Sequence, residues 1–331
     1  MFLFGAADVG PAKYLAELTA CFKEEVFYLA SDLNRHVFYN GHGAPIHDLS
    51  ESLASKINLV VTGTSLGDEQ ISLDKRLVIW AKKNNIPSVS IIEHWSWYRK
   101  RFQVNDELVL PNYILVNDQL AFSAAIAEGL PECILRPLGN PYLESLSTQS
   151  LDFLRAVELK EKYHLPKNKR LFVFVSEELK NVFKSGTPDD LGYDEFEVIK
   201  GLILQLSIDD HLVIKLHPEE DLGKYDCFKS ESITVLRVCP LVDLAILADS
   251  VVGMASMLLL ELSIYRNDII SFRPNALQKF IGEELCLTVP VRTPGELNQA
   301  LCNRVAAKQS LRDYFLGSRQ RIEQFLLGVR R

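Results

Sequence analysis

The chain reads as an α/β protein made of two Rossmann-like domains facing across a cleft. Short apolar runs alternate with amphipathic stretches through both halves, as βαβ units require. The alternation breaks once, between residues 141 and 165. At 331 residues the chain is long enough to bury two cores. An eight-unit barrel would not pause there. The expected boundaries are 1–145 for a first Rossmann-like domain, 146–310 for a second, and 311–331 for a closing helix.

In the first half, Phe2–Phe4 reads as a strand and Ala6–Gly10 as a loop. Pro11–Cys21 is helical, with Pro11 in the first turn, where its missing N–H costs nothing. Strands are expected at Glu25–Leu29, Leu59–Thr62, Ser88–Ile92, Tyr113–Val116 and Ile134–Leu138. Helices are expected at Asp74–Asn84 and at Gln119–Glu128, the latter closed by Gly129. Gly139-Asn140-Pro141 ends this series, and a charged helix at Leu151–Tyr163 follows. The second half places strands at Leu171–Val175, Leu212–Leu216, Thr234–Val238, Ser250–Val252 and Asp268–Ser271. Its helices are Glu195–Leu206, Leu241–Ala248, Met254–Tyr265, Pro294–Lys308 and Leu311–Leu327.

Composition narrows the class. With 47% hydrophobic and 24% charged residues the chain is ordinary for a globular protein. A net charge of −7 without a strongly basic run argues against nucleic acid and allows at most peripheral membrane contact. The Arg-rich end (Arg319, Arg321, Arg330, Arg331) fits solvated helix ends. Six scattered cysteines lack metal-finger spacing and suit a reduced, cytoplasmic protein. No signal peptide and no membrane span is expected. Neither an Asp-x-Asp element nor a clustered His/Asp set is present, so no metal or other cofactor is expected.

Several segments carry chemistry. Lys215 and His217 lie two residues apart at a strand end that Pro218 terminates, so both side chains can point one way. A cation or donor there can neutralise a phosphate. Gly253 permits a tight turn, Ser256 lies in the first helical turn, and free N–H groups there favour an anion. Glu261, farther along that helix, could reach a ribose diol. Ser256 also reads as a plain N-cap and Glu261 as an exposed charge. In the first half, Thr64, Ser65, Asp68 and Glu69 follow a strand, with the two carboxylates placed to take a proton from an acceptor hydroxyl. Asp8 sits in an equivalent edge loop, which lacks full G-x-G-x-x-G spacing.

The string Glu93-His94-Trp95-Ser96-Trp97-Tyr98-Arg99-Lys100-Arg101-Phe102 holds two of the three tryptophans and three consecutive cations. Aromatic faces stack on sugars and arginines fork onto carboxylates or phosphates, so Glu93, His94, Trp95, Arg99 and Arg101 suit an acidic sugar. Ser176 and Glu177 fall at a second-half strand end and are candidates for donor contact.

The His217-Pro218 strand end followed by Gly253-x-x-Ser256 resembles the second domain of GT-B glycosyltransferases. The kinship is with bacterial sialyltransferase-like, polysialyltransferase-like and CDP-glycerol glycerophosphotransferase-like enzymes. That resemblance implies an acidic motif in the first domain, where Gly67-Asp68-Glu69 stands without the expected following glycine. The Glu93–Phe102 string and the Phe174–Tyr193 layout resemble transferases of pseudaminic or legionaminic acid. The resemblance implies an inverting, metal-independent transfer of a nine-carbon acidic sugar from a CMP-linked donor to a glycan or protein hydroxyl. Asp68 or Glu69, or else His94, would be the base, His217 and Ser256 would hold the phosphate, and the closing helix would pack back on the first domain. UDP-N-acetylglucosamine 2-epimerases share the fold, and their serine and glutamate positions match Ser256 and Glu261. The alternatives are therefore a UDP-N-acetylhexosamine 2-epimerase or a non-catalytic sugar-nucleotide-binding subunit.

Overall fold

The computed structural model describes residues 1–22, 26–31, 35–39, 43–66, 72–105, 107–180, 190–218 and 220–330. The chain divides into two compact units, Met1–Ser145 with Phe315–Arg331, and Leu146–Tyr314. Each is an α/β sandwich around a parallel sheet.

In the first unit the strands are β1 (Phe2–Ala6), β2 (Val26–Ala30), β3 (Ala44–Pro45), β4 (Leu59–Thr62) and β5 (Ser88–Ile92). A small antiparallel hairpin, β6 (Gln103–Val104) and β7 (Glu107–Leu108), precedes β8 (Tyr113–Val116) and β9 (Leu135–Pro137). The sheet order is β3-β2-β1-β4-β5-β8-β9, and every pair is parallel. Strand side chains alternate between faces. Phe2 and Phe4 therefore enter one core with Leu15 and Leu18, while Leu3 enters another with Leu77 and Ala81. Both faces are covered, which is why these strands read as unbroken apolar runs.

The second unit repeats the plan with β10 (Arg170–Val175), β11 (Asp210–Lys215), β12 (Ile233–Leu236), β13 (Ser250–Gly253), β14 (Ile269–Phe272) and β15 (Val289–Val291). Their order is β12-β11-β10-β13-β14-β15, again all parallel. Phe174, Ile214, Val252 and Ile270 pack with Val198, Leu202 and Leu297. In each sheet the order reverses beside its first strand, between β1 and β4 and between β10 and β13. Ligands of such sheets bind outside the strand carboxyl ends at that reversal. The expected α/β class with two Rossmann-like units is the observed one.

Helix bounds differ from the sequence reading where capping intervenes. The stretch expected as helix from Leu151 opens with a 3-10 turn, Phe153–Arg155, and becomes α-helical only over Ala156–Lys162. Ser256 is extended (φ −67°, ψ 142°) and caps the helix Met257–Leu262, which is shorter than the expected Met254–Tyr265. Arg304 adopts a left-handed φ of 47° and stops the helix Pro294–Asn303. The last helix, Ser318–Val329, starts only after a left-handed Gly317. It sets Ile322 and Leu326, both fully buried, into the first unit's core. Leu326→Ala is expected to cost about 2–5 kcal/mol, read as a lower urea midpoint for the first unit. An unchanged midpoint would show that the helix adds nothing to that core.

Candidate active site

At the reversal point of the first sheet, β1 runs into Ala7 and Asp8, and β4 into Gly63, Thr64 and Ser65. Between them sits Asp74, in the first turn of the helix Leu73–Lys83 and 2% exposed. Its Oδ1 accepts the Ala7 N–H at 3.1 Å, while Oδ2 is buried. Burial pushes this carboxyl up to about 7; the Ser65 hydroxyl and the Ala7 N–H partly offset that, and the charges of Asp8 and Glu93 add to it. Backbone approaches this closely because Gly63 has no side chain. A Cβ there would stand 2.5 Å from Pro11 Cβ and 3.2 Å from Asp74 Oδ1.

Glu93 leaves β5 at the same edge. Burial raises its pKa, Arg101 pulls it down and Asp8 pushes it up. A Cβ on Gly10 would lie 3.1 Å from Glu93 Oε1, so the start of the helix Val9–Phe22 closes over this carboxyl. Asn117 holds the Glu93 backbone, donating to its carbonyl at 2.8 Å. Arg101, 6% exposed, donates to the carbonyls of Ser96 (3.2 Å) and Thr64 (3.5 Å). Burial and Arg101 push His94 down to about 3, and its Nδ1 meets the Ser96 hydroxyl at 2.8 Å. A neutral imidazole that weakly basic is a poor proton acceptor at neutral pH.

The Glu93–Phe102 string thus splits into two sides. Glu93, His94 and Arg101 join Asp8, Thr64, Ser65 and Asp74 at the sheet edge. Trp95 does not join them as a stacking platform: its Nε1 donates to Asp118 at 2.8 Å and its ring packs 6.2 Å from Phe315. Arg99 is exposed, its N–H donating to Glu128 at 3.0 Å. Asp68 and Glu69 lie outside the described residues. Asp74 escaped sequence reading because an acid in a first helical turn looks like a dipole partner. Its signal was the run of glycine and hydroxyl residues just upstream.

In the second unit the edge is built around Ser176 and Glu177, which follow β10. The Ser176 hydroxyl donates to Glu220 at 2.7 Å and shares a 2.6 Å hydrogen bond with the Tyr225 hydroxyl. Glu220 also accepts the His217 N–H at 2.6 Å, fixing the His217-Pro218 turn, whose two side chains are exposed. On the other flank, Ala255 N–H donates to Glu177 at 2.8 Å. Burial raises Glu177 to about 7, against the Ala255 bond that lowers it. The ends of β11 and β13 therefore flank β10, about 10 Å apart at normal strand spacing.

Other details correct the sequence reading. Lys215 is buried and donates to the Leu216 carbonyl at 2.6 Å, whereas His217 is exposed, so the two do not share one environment. Ser256 accepts the Leu258 N–H at 3.2 Å as a cap. Glu261 is partly exposed on the same helix. Gly253 is required by space and not by a tight turn, since a Cβ there would sit 2.9 Å from Leu259 and 3.2 Å from Val175. Lys224 is already paired with Glu220 (2.5 Å), Glu195 (2.6 Å) and Glu178 (3.1 Å), and Arg273 with Glu283 at 2.7 Å. Among the described residues no group of three or more His, Cys, Asp or Glu side chains is arranged to hold a metal, and no helix is long and apolar enough to cross a membrane.

No protein-family profile matches the chain, and no curated protein matches it. Solved structures do. The UDP-GlcNAc 2-epimerase of Neisseria meningitidis bound to UDP-GlcNAc is 12% identical, with 99% of each chain covered and a TM-score of 0.65. Anabaena HepE in complex with UDP-glucose is 11% identical, covering 99% of this chain and 96% of that one, at a TM-score of 0.66. The wall teichoic acid polymerase TagF is 12% identical, covering 99% and 88%, at 0.56. These likenesses show the fold alone, two Rossmann-like units of the GT-B type. They also overturn the expected transfer of a CMP-linked nine-carbon acid, because structures sharing the fold over its whole length were solved with UDP-sugars. Trp95, Arg99 and Arg101 turn to separate partners, so these three form no common platform for the sugar of that donor.

Asp74 and Glu177 have raised folded pKa values, so each contributes stability that is fully present below its unfolded value near 4 and lost as pH rises through about 7. The melting temperature is expected to fall between pH 5 and 8, and Asp74→Asn to flatten that fall. A slope unchanged in the variant would show that Asp74 titrates normally.

Proposed function

We propose that the chain is an enzyme of UDP-activated N-acetylhexosamines that inverts configuration at C2. The carrying observation is the pair of desolvated carboxyls, Asp74 and Glu93, gathered with Asp8 at one sheet reversal. The C2–H of a glycosyl phosphate is not next to a carbonyl, so its loss must be coupled to departure of the nucleotide. The C–H electron pair forms a C1=C2 bond as the C1–O bond breaks, and the proton passes to a carboxylate. Return of a proton to the opposite face of C2, with re-addition of UDP at C1, gives the epimer. Such a cycle needs one carboxyl able to accept and one able to donate; burial raises both, and Asp74, pushed up to about 7, can hold or release a proton near neutral pH.

The second unit suits the nucleotide. Its reversal point offers the His217 turn on one flank and the Ala255–Ser256 turn on the other, with Glu261 on the following helix for a ribose. Whole-chain likeness to an epimerase solved with UDP-GlcNAc supports this assignment.

Incubation with UDP-GlcNAc in deuterated water is expected to place deuterium at C2 of both epimers, read by proton NMR. Glu93→Gln should slow the exchange at least about hundredfold while the circular dichroism stays unchanged. Binding of UDP-GlcNAc without any deuterium uptake would mark a non-catalytic sugar-nucleotide-binding protein instead. UDP should raise the melting temperature more than CMP at equal concentration, and the reverse order would defeat the UDP assignment.

A further inference from the structure

The outward side of the Glu93–Phe102 string takes no part in the proposed epimerisation. Trp97, Arg99, Lys100, Gln103, Asn105 and Glu128 line a concavity of about 560 Å3 in the first unit, within the range of small-molecule sites. Trp97 holds a left-handed φ of 61° and Asn105 one of 52°. For a bulky residue this conformation is a steric outlier, and such strain persists where the surroundings enforce it, often at ligand clamps. Here the enforcement is visible. The Arg99 N–H is tied to the Glu128 carboxylate at 3.0 Å, and the Arg101 N–H donates to the Trp97 carbonyl at 3.2 Å. The Lys100 ammonium lies 5.4 Å from the centre of the Trp97 ring, which keeps cation and indole together. Arg99 and Lys100 are both exposed, beside the carboxylate of Glu128 among the described residues of the lining.

We propose that this concavity is a second binding site, for a pyranose that carries an anionic group, either a carboxylate or a phosphate. The indole offers a face for the C–H side of the ring, the amides of Gln103 and Asn105 pair with hydroxyls, and Arg99 and Lys100 meet the anion. The strain at Trp97 is then the cost of presenting its ring.

Tryptophan fluorescence and saturation-transfer NMR on the intact protein test this, with glucuronic acid, glucose 6-phosphate and glucose as ligands and inorganic phosphate as competitor. One or both charged sugars are expected to bind at least about tenfold more tightly than glucose, and the preferred one identifies the anion. Trp97→Gly, which suits the left-handed backbone, should keep the melting temperature within about 3 °C and lose the response. Lys100→Gln should weaken binding about tenfold. The site is refuted if neither method detects a charged sugar, if glucose or inorganic phosphate binds as tightly, or if Trp97→Gly binds as the parent does.

Discussion

Desolvated carboxyl groups at the reversal points of two parallel sheets are the constraint around which this chain is arranged. A buried carboxylate without a partner is expensive, and the protein answers by letting the group hold its proton. Asp74 sits between the ends of β1 and β4, where Gly63 and Gly10 allow backbone to approach it and Glu93 with no intervening Cβ. Any larger residue at Gly63 would meet Pro11 first. The glycines therefore serve the carboxyls as much as the turns.

The second unit faces the same electrostatic problem and resolves it differently. Glu178, Glu195 and Glu220 are ionically bound by one lysine, Lys224, which lies between them. That leaves Glu177 as the carboxyl whose charge is suppressed by burial. Glu220 then does two things with one carboxylate. It accepts the Ser176 hydroxyl from just after β10 and the His217 N–H from the turn after β11, so the two strand ends are tied together. A histidine on a loop becomes a fixed feature without being buried.

Much of the fold was legible from sequence. Runs such as Leu171–Val175 and Leu59–Thr62 read as strands because sheets covered on both faces need apolar residues at every position. Ends of helices were harder. Ser256 and Gly317 delay their helices through backbone conformations that residue type permits but does not dictate. The Glu93–Phe102 string was visible as unusual, yet its division depends on Trp97 turning left-handed, which redirects the chain from residue 98 onward. Asp74 was hidden for another reason. Much of its chemistry arises from residues just after β1 and β5, distant in sequence, which the local run of glycine and hydroxyl residues does not record.

The raised pKa of Glu177 has a consequence for any phosphate that docks beside it. With Lys224 and Arg273 already engaged, the cations of this edge have little charge to spare for an incoming anion. A phosphate would add repulsion and lift the Glu177 pKa further above about 7. Binding and proton uptake are then one linked event: the neutral carboxyl accommodates the nucleotide and the ionised one opposes it. Departure of a nucleotide would in turn favour ionisation of Glu177. On the proposed assignment, the buried carboxyl at this edge would couple the charge state of the second unit to a bound nucleotide.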